Sequence, residues 1–494
     1  MDLDDDAFYR AFSARDPRLD GKVFVGVSST GVYCRPICPA RTPKRENVTF
    51  YPSAAAAQEA GFRPCLRCRP ESSPDLGAWR GTSNTVSRAL ALIEAGALDH
   101  RGVEDLAARL GVGERQLRRL FREHLGASPV AVAQTRRVLL AKQLLHETKL
   151  SMTEVALASG FGSVRRFNET FQQLFRRPPA AFRRESDAPV GHEGVTLRLA
   201  YRPPYDWEAM ASFLMARAIP GVERAEATSY ARTLKLGGST GAVLVEPDRG
   251  QRLRVTAHIT DLKVLPEVIR RVRRVFDLAA DPQAIGNHLS GDPLLAPLVA
   301  ARPGLRAPGA WEGFELAVRA ILGQQVSVSA ARTLGGRMAE TFGEPCDHPA
   351  AAGLGLTRCF PTPDRLAGQA IAEIGMPRSR GAAIASLAEA ALADDRLFEI
   401  GVTLEEATAR LTALPGVGEW TAQYIALRAL REPDAFPHGD LGLVRALSRL
   451  DGAKANPGSL LERAEAWRPW RAYAAQHLWS ADLGKAVNDD LAAA

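Results

Sequence analysis

No run of eighteen apolar residues occurs in this 494-residue chain, so the sequence offers no membrane-spanning helix. The opening "MDLDDDAFYR" is acidic and is followed by no apolar core, which reads against a secretory signal. A cytoplasmic, reducing location is the expectation. Cysteine is scarce, with only six in the chain. Four of them nevertheless fall within 35 residues, and in a reducing compartment such pairs bind metal more often than they form disulfides. Apolar content of 46% and charged content of 24% are those of an ordinary globular protein, and the length implies several domains. The net charge of +7 favours a polyanionic partner. Residues 82–185 hold 17 basic and 10 acidic side chains, so this fifth of the chain carries an excess equal to the whole. A local excess within a helical pattern marks a nucleic-acid face more often than a merely solvated surface.

Two polar stretches rich in turn-forming residues, "RPESSPDLGAWRGTSN" (69–84) and "RRESDAPVGHEG" (183–194), read as linkers. A cysteine-bearing module precedes the first and a helical block lies between them. Within 195–259, "VTLRLAYR", "GAVLVEP" and "QRLRVTAHI" alternate as strands do. From about Trp311 onwards nearly everything reads as amphipathic helix.

In the first module, Cys34 and Cys38 are separated by three residues and Cys65 and Cys68 by two, with 26 residues between the pairs. Two short-spaced pairs can place four thiolates on one tetrahedral Zn²⁺. Spacing alone leaves open whether that metal is structural or reactive. The surrounding "STGVYCRPICPARTPKRENVTFY" and "AAAAQEAGFRPCLRCRPE" resemble the N-terminal domain of the Ada methyl phosphotriester repair proteins over roughly residues 5–72. The resemblance implies that Cys34 accepts a methyl group from a damaged DNA phosphate while Cys38, Cys65 and Cys68 complete the zinc site. Zinc would keep the nucleophilic thiolate ionised at neutral pH. Methylation would remove one negative charge and so raise affinity for the phosphate backbone. Arg35, Lys44 and Arg45 are candidate phosphate contacts.

"VEDLAARLGVGERQLRRLFREHLGASP" has the look of a helix-turn-helix. Leu106, Ala107 and Leu110 form one apolar stripe, Gly111 sits at the turn, and Leu117, Leu120 and Phe121 form the second stripe. Arg115, Arg118, Arg119 and Arg122 line the other side. "MTEVALASGFGSVRRFNETFQQLFRRPPAAFR" repeats the scheme, with Gly160 at the turn, Val164, Phe167 and Phe171 buried, and Arg165 and Arg166 exposed. Two such units joined by "PVAVAQTRRVLLAKQLLHET" resemble the AraC-type DNA-binding domain, whose helices of this kind enter the major groove.

Downstream, "LPGVGEWTAQYIALRAL" (414–430) reads as helix, tight turn and helix, with glycines that allow positive φ and free amides that can face a phosphate. Asp440 follows Gly418 by 22 residues, in "AFPHGDLGLVRAL". This pairing resembles the helix-hairpin-helix Gly/Pro–Asp glycosylases. "LRLAYRPPYDWEAMASFLMARAIPGVE", "WEGFELAVRAILGQQVSVSAAR", "RCFPTPDRLA" and "WRPWRAYAAQHLW" resemble the AlkA-type 3-methyladenine glycosylases over about 195–487. The resemblance implies that Asp440 is the catalytic carboxylate and that Gly416 and Gly418 meet the DNA backbone. It also implies that Trp420, Tyr424 and Trp479 stack on the extruded base, with Phe213 as a pocket wall. Such rings attract an electron-poor alkylated purine by cation–π contact.

Other absences sharpen the reading. Glycosylases of this superfamily that also nick DNA carry a lysine two residues after the second hairpin glycine, and here Trp420 stands there. A four-cysteine iron–sulfur motif is missing, because Cys346 and Cys359 stand apart from the other four. So is the "PCHRV"-like motif of the second Ada methyltransferase domain. Where AlkA relatives carry a wedging leucine, "GQQVS" offers Gln324 and Gln325.

The expectation is therefore a multidomain chain. A small zinc α/β module (1–75) precedes an all-α AraC-type double helix-turn-helix (82–186). An α+β AlkA-type subdomain (194–300) and an all-α helix-hairpin-helix glycosylase core (301–490) follow. The resemblance implies zinc as cofactor, alkylated double-stranded DNA as partner, RNA polymerase as a second partner of an activator, and no membrane. Its activity would be hydrolytic excision of 3-methyladenine and similar bases. The rival reading is an alkylation-responsive regulator whose C-terminal half only binds DNA.

Overall fold

The computed structural model describes residues 5–74, 84–99, 101–183, 194–399 and 402–492. Much of both expected linkers, at 75–83 and 184–193, lies outside the described residues. Two compact units result, one of residues 1–201 and 248–270 and the other of 202–247 and 271–494. Among the described residues no helix is long and apolar enough to cross a membrane.

The first unit opens with a four-stranded sheet of order β3-β1-β2-β4, built from β1 (Phe24–Val27), β2 (Val32–Cys34), β3 (Val48–Tyr51) and β4 (Arg63–Pro64). β1 runs antiparallel to β2 and β3, and β2 runs parallel to β4 with Tyr33 opposite Pro64. This register brings the two cysteine pairs together. Cys34 ends β2, and the Cys65 amide donates to the Tyr33 carbonyl at 3.0 Å.

The alanine run at 54–57 sits on the short helix Ala54–Glu59, capped by Ser53, and all four side chains are buried. Ala54 and Ala57 pack on Phe24 and Tyr33, while Ala55 and Ala56 pack against Ala127. Only a methyl-sized side chain lets one helix lie closely against partners on both sides. Ser53 Oγ also donates to the Leu125 carbonyl at 2.6 Å, tying the sheet module to the helical block.

That block runs through helices Asn84–Glu94, Val103–Arg109, Glu114–Leu125, Pro129–Glu147, Met152–Ala158 and Val164–Phe175. The expected stripes are in place: Leu106, Ala107, Leu110, Leu117 and Phe121 share one core, with Leu120 packed at its margin. Gly111 and Gly160 take φ of 68° and 82° at the two turns. In the second half of the repeat Phe167, Phe171, Phe175 and Phe182 pack in succession with tilted ring planes, but Val164 is only half-buried, contrary to expectation. It is the first residue of its helix, where a side chain projects past the packed turn. β5 (Val195–Ala200) and β9 (Arg252–Ile259) pair antiparallel at the end of this unit.

The second unit holds β6 (Glu223–Glu226), β7 (Ser229–Leu236) and β8 (Ser239–Asp248), an antiparallel meander. β6 and β7 went unassigned in the sequence. In β7 six of eight residues are buried, so it lacks the alternation that marks a half-exposed strand. One of those six is Arg232, which pairs with Glu315 (2.8 Å) and Glu223 (3.4 Å) beneath the sheet. Arg319 joins the same two carboxylates. The helix Gly313–Leu322 that carries Glu315 and Arg319 is buried nearly all round, with helices Val328–Phe342, Arg378–Ala393 and Glu419–Ile425 packed on it. Cys346 and Cys359 flank a bridge between Pro345 and Arg358, buried together as free thiols.

The pKa of Glu315 registers that network. Burial pushes it up, but the charges and hydrogen bonds of Arg232 and Arg319 outweigh this and hold it at about 2, below the ordinary 4.5. A carboxylate depressed on folding adds stability that is complete above its unfolded pKa and is lost as pH falls through the folded one. The protein is therefore expected to lose unfolding free energy between about pH 4.5 and 2. Urea melts should show Glu315→Gln with a flatter profile over that window. At pH 7 the same substitution should cost about 3–5 kcal/mol, because it leaves buried guanidiniums short of counter-charge. An unchanged acid profile in the variant would contradict this account.

Candidate active site and zinc centre

In the first unit, the Sγ atoms of Cys34, Cys38, Cys65 and Cys68 all lie within 4.8 Å of one another, and all four residues are buried. Tetrahedral thiolates at the usual Zn–S distance stand about 3.8 Å apart, so the cluster fits one Zn²⁺ with little adjustment. Shared hydrogen bonds among the sulfurs push the Cys34 thiol up and draw Cys65 down. Backbone amides already point at it: Arg35 N–H donates to Cys68 Sγ and Arg67 N–H to Cys65 Sγ, each at 3.3 Å. Among the described residues this is the one group of three or more metal-type ligands. Exposure does not distinguish Cys34 from its three neighbours.

The expected phosphate contacts fare unequally. The Arg35 side chain is nearly buried and grips both oxygens of Asp20 together with Ser72 Oγ and the Cys68 carbonyl, so it braces the centre from inside. Arg45 pairs with Asp5 and Asp6, and Lys44 remains exposed. On the far side of the cluster Lys142 Nζ, fully buried, donates to the Cys65 carbonyl (3.1 Å) and to Glu71 Oε2 (2.7 Å). Burial would raise the Glu71 carboxyl, but His146, whose Nδ1 lies 3.3 Å from Oε1, and the Lys142 charge hold it at about 2.

In the helical block Arg118, Arg119, Arg165 and Arg166 are all exposed, on helices Glu114–Leu125 and Val164–Phe175. Arg118 and Arg165 lean on Glu114 and Glu169 one turn away. These are weak surface pairs that a phosphate can replace.

In the second unit the hairpin joins helix Leu404–Thr412 to helix Glu419–Ile425, which continues as a π-helical turn over Ala426–Leu430. Gly416 has φ 76°, and a Cβ there would meet Ala383 Cβ at 2.5 Å, so two constraints demand glycine. Gly418 differs from expectation. Its φ is −88°, any residue could adopt it, and a Cβ there would meet only open space. Gln324 Nε2 donates to the Gly416 carbonyl (2.9 Å) and to Thr421 Oγ1 (3.1 Å), so it fastens the hairpin. Gln325 is exposed in a left-handed turn at φ 55°. Of the two glutamines it is the one left to project outward.

Asp440 caps the helix Leu441–Asp451 and accepts four hydrogen bonds. Its Oδ1 takes the amides of Gly442 (2.9 Å) and Leu443 (3.1 Å) and the Trp479 indole N–H (2.9 Å). Its Oδ2 takes the Trp420 indole N–H (2.9 Å) alone. Oδ2 therefore keeps a lone pair free to face a developing positive charge. Trp420 and Tyr424 stack with centroids 5.3 Å apart and planes 11° from parallel, and Trp479 meets Tyr424 edge-on at 6.4 Å. Phe213 completes the box through Arg428, whose guanidinium lies 4.7 Å from the Phe213 ring and 5.1 Å from that of Trp479. All four rings are half-buried, so the box is open to solvent. The four aromatics and the aspartate that sequence similarity nominated are thus brought together.

Two neighbours were not anticipated. Arg428 is a buried cation, held by the Pro308 carbonyl and by Gln476. Its spacing of eight from Trp420 is the signal that was available. Leu441, 73% exposed directly after Asp440, is a large apolar side chain at the mouth of the site. An apolar residue directly after Asp440, on a helix's first turn, was the clue there.

Comparison with known proteins finds four matches along the chain. The metal binding domain of Ada matches residues 7–71 and a helix-turn-helix domain matches 106–185. The AlkA N-terminal domain matches 196–312, and the HhH-GPD superfamily base excision DNA repair protein matches 318–472. The Mycobacterium tuberculosis protein named "Probable bifunctional transcriptional activator/DNA repair enzyme AlkA" is 42% identical over 96% of this chain and 95% of its own. The chain belongs to the family of bifunctional Ada–AlkA proteins. DNA-3-methyladenine glycosylase 2 of Escherichia coli is 40% identical over 57% of this chain and 95% of that enzyme. The solved structure of a 3-methyladenine DNA glycosylase from Archaeoglobus fulgidus superimposes with a TM-score of 0.51 at 25% identity, over 58% of this chain and 97% of that one.

Membership in this Ada–AlkA family and the four-sulfur cluster make zinc the cofactor. The purified protein should hold one zinc per chain, released when its thiols are titrated. Cys38→Ser should lower bound zinc severalfold in the same metal-release assay and lower the melting temperature. Full zinc retention in that variant would rule the cluster out as the site.

Proposed function

We propose that the chain is a DNA repair enzyme that excises alkylated bases, 3-methyladenine and related lesions, by hydrolysing the N-glycosidic bond. The observation that carries this reading is Asp440. Its carboxylate is fixed by four N–H donors, with one oxygen left under-coordinated at the edge of an aromatic box. As the C1′–N bond breaks, its electron pair goes to the base and positive charge grows on the sugar. A preorganised carboxylate stabilises that charge without rearranging. The stacked Trp420 and Tyr424 receive the flipped base. With an indole rather than an amine at position 420, no Schiff base forms there, and water is the nucleophile. The strand is left intact with an abasic site. Gly418 faces the backbone with room for a phosphate, and Gln325 enters the gap left by the extruded base.

At the other centre, Cys34 acts as a methyl acceptor for DNA methyl phosphotriesters. The Sγ lone pair attacks the methyl carbon, an S–C bond forms, the C–O bond breaks, and the phosphate leaves as an ordinary diester. Bound zinc supplies the charge that keeps Cys34 a thiolate. The amides of Arg35 and Arg67 share the charge left on Cys68 and Cys65. Losing one negative charge strengthens binding to duplex DNA by Arg118, Arg119, Arg165 and Arg166, and the chain then acts in the cytoplasm as a transcriptional activator that engages RNA polymerase.

Two measurements test this reading. On a methylated duplex the wild-type protein should generate abasic sites without strand cleavage, and Asp440→Asn should reduce the rate by at least about a hundredfold while duplex affinity is kept. Base release by the variant at the wild-type rate would sink the assignment. After incubation with methylated DNA, mass spectrometry should place a +14 Da adduct on Cys34 alone. An adduct elsewhere, or none, would make Cys34 a purely structural ligand.

A further inference from the structure

The aromatic box is charged at both ends. Trp420, Tyr424 and Arg428 follow one another at intervals of four and so lie on one face of the same helix, spanning about 12 Å. Asp440 is bonded to the Trp420 end. Arg428 closes the other end, 2% exposed, on the π-helical turn. Its Cζ lies 4.7 Å from the Phe213 centroid, 5.1 Å from Trp479 and 5.6 Å from Tyr424. The Trp479 indole spans the two, with its N–H on Asp440 and its face toward the guanidinium.

The guanidinium has only neutral hydrogen-bond acceptors: Nη1 donates to the Pro308 carbonyl and Nη2 to Gln476 Oε1, while Nε has none. Beside burial, the Tyr424 hydroxyl favours its charged form, whereas the two cations Arg217 and Arg431 oppose it. Burial pulls its pKa down to about 10, so it still carries its charge at pH 7. A desolvated cation without a carboxylate partner is costly in a fold.

We infer that Arg428 is a specificity-determining residue of the glycosylase, an inference that rests on the reading of Asp440 above. Cleavage moves one electron pair from the glycosidic bond to the base, so the base loses one unit of positive charge and the sugar gains it. A cation behind the base and a carboxylate beside the sugar both favour that displacement, for any leaving base. The two classes of lesion differ before the reaction. A cationic base such as 7-methylguanine is repelled by Arg428 when it enters, whereas a neutral base such as hypoxanthine is not. For the cationic lesion the charge therefore weakens binding and speeds chemistry by offsetting amounts. For the neutral one it speeds chemistry with no loss of binding, and only the latter raises kcat/KM. A charge acting through the rings at effective interior dielectric gives an effect on the order of tenfold.

The test uses the full-length protein and two duplexes, one with 7-methylguanine and one with hypoxanthine. Arg428→Gln removes the charge. Gln476→Glu neutralises it in place while keeping the hydrogen bond, and so covers the case in which Arg428→Gln melts. Both should lower kcat about tenfold on each lesion. KM should fall in parallel for 7-methylguanine only, so that kcat/KM drops about tenfold for hypoxanthine alone. Arg428→Lys should restore the wild-type ratio. Equal loss of kcat/KM on both lesions in the neutral variants would overturn the inference, as would a wild-type enzyme that releases 7-methylguanine but no hypoxanthine. Release of neither base by the folded wild-type protein would instead strike the glycosylase reading itself.

Discussion

The second unit is organised around keeping one carboxylate still. Asp440 could satisfy itself as a plain helix cap with two backbone amides. Instead two tryptophans, 20 and 39 residues away in the chain, add their indole N–H groups to the same side chain. Both indoles must then lie edge-on to the carboxylate, which leaves their faces free to form a box. The hairpin sets where Trp420 begins its helix, Gln324 fastens the hairpin, and the long helix from Arg471 brings Trp479 to the same point. Position of the charge and position of the stacking surface are thus a single constraint.

The zinc centre follows another logic, that of charge held out of water. Four thiols lie close together beside a parallel strand pair, and the cluster is bounded by Arg35 on Asp20 and by Lys142 on Glu71. Each cation has a carboxylate partner, so neither cancels the charge of the sulfurs outright. They fix carbonyls and amides around the cluster instead. The sulfurs therefore keep whatever net charge the cluster carries, with neither of these two cations free to offset it.

Much of this was legible in the chain because motifs carry local geometry. The cysteine spacing, the turn glycines at 111 and 160, the hairpin and the distance from Gly418 to Asp440 each fix residues that act close to where they stand in sequence. What escaped depends on partners far away. Arg35 reads as a surface charge until Asp20 is seen beneath it. β7 hides its strand character because Arg232 and Thr233 sit buried at its centre, made tolerable by Glu223 and Glu315 and by the Arg358 carbonyl. Arg428 looked like one more arginine near a helix end. Its partners, the Pro308 carbonyl and Gln476, lie 120 and 48 residues away, so the spacing from Trp420 hinted at its face but not at its burial.

Lys142 and Glu71 carry a consequence for how such chains are assembled by recombination. Each is fully enclosed, and each belongs to a different motif along the chain. A gene exchange that swapped the cysteine module but kept the resident helical block, or the reverse, would strand a naked charge in the interior unless both partners travelled together. The natural cassette is the pair of modules as a whole, and shuffling that joins them from different ancestors is penalised before any question of DNA recognition arises.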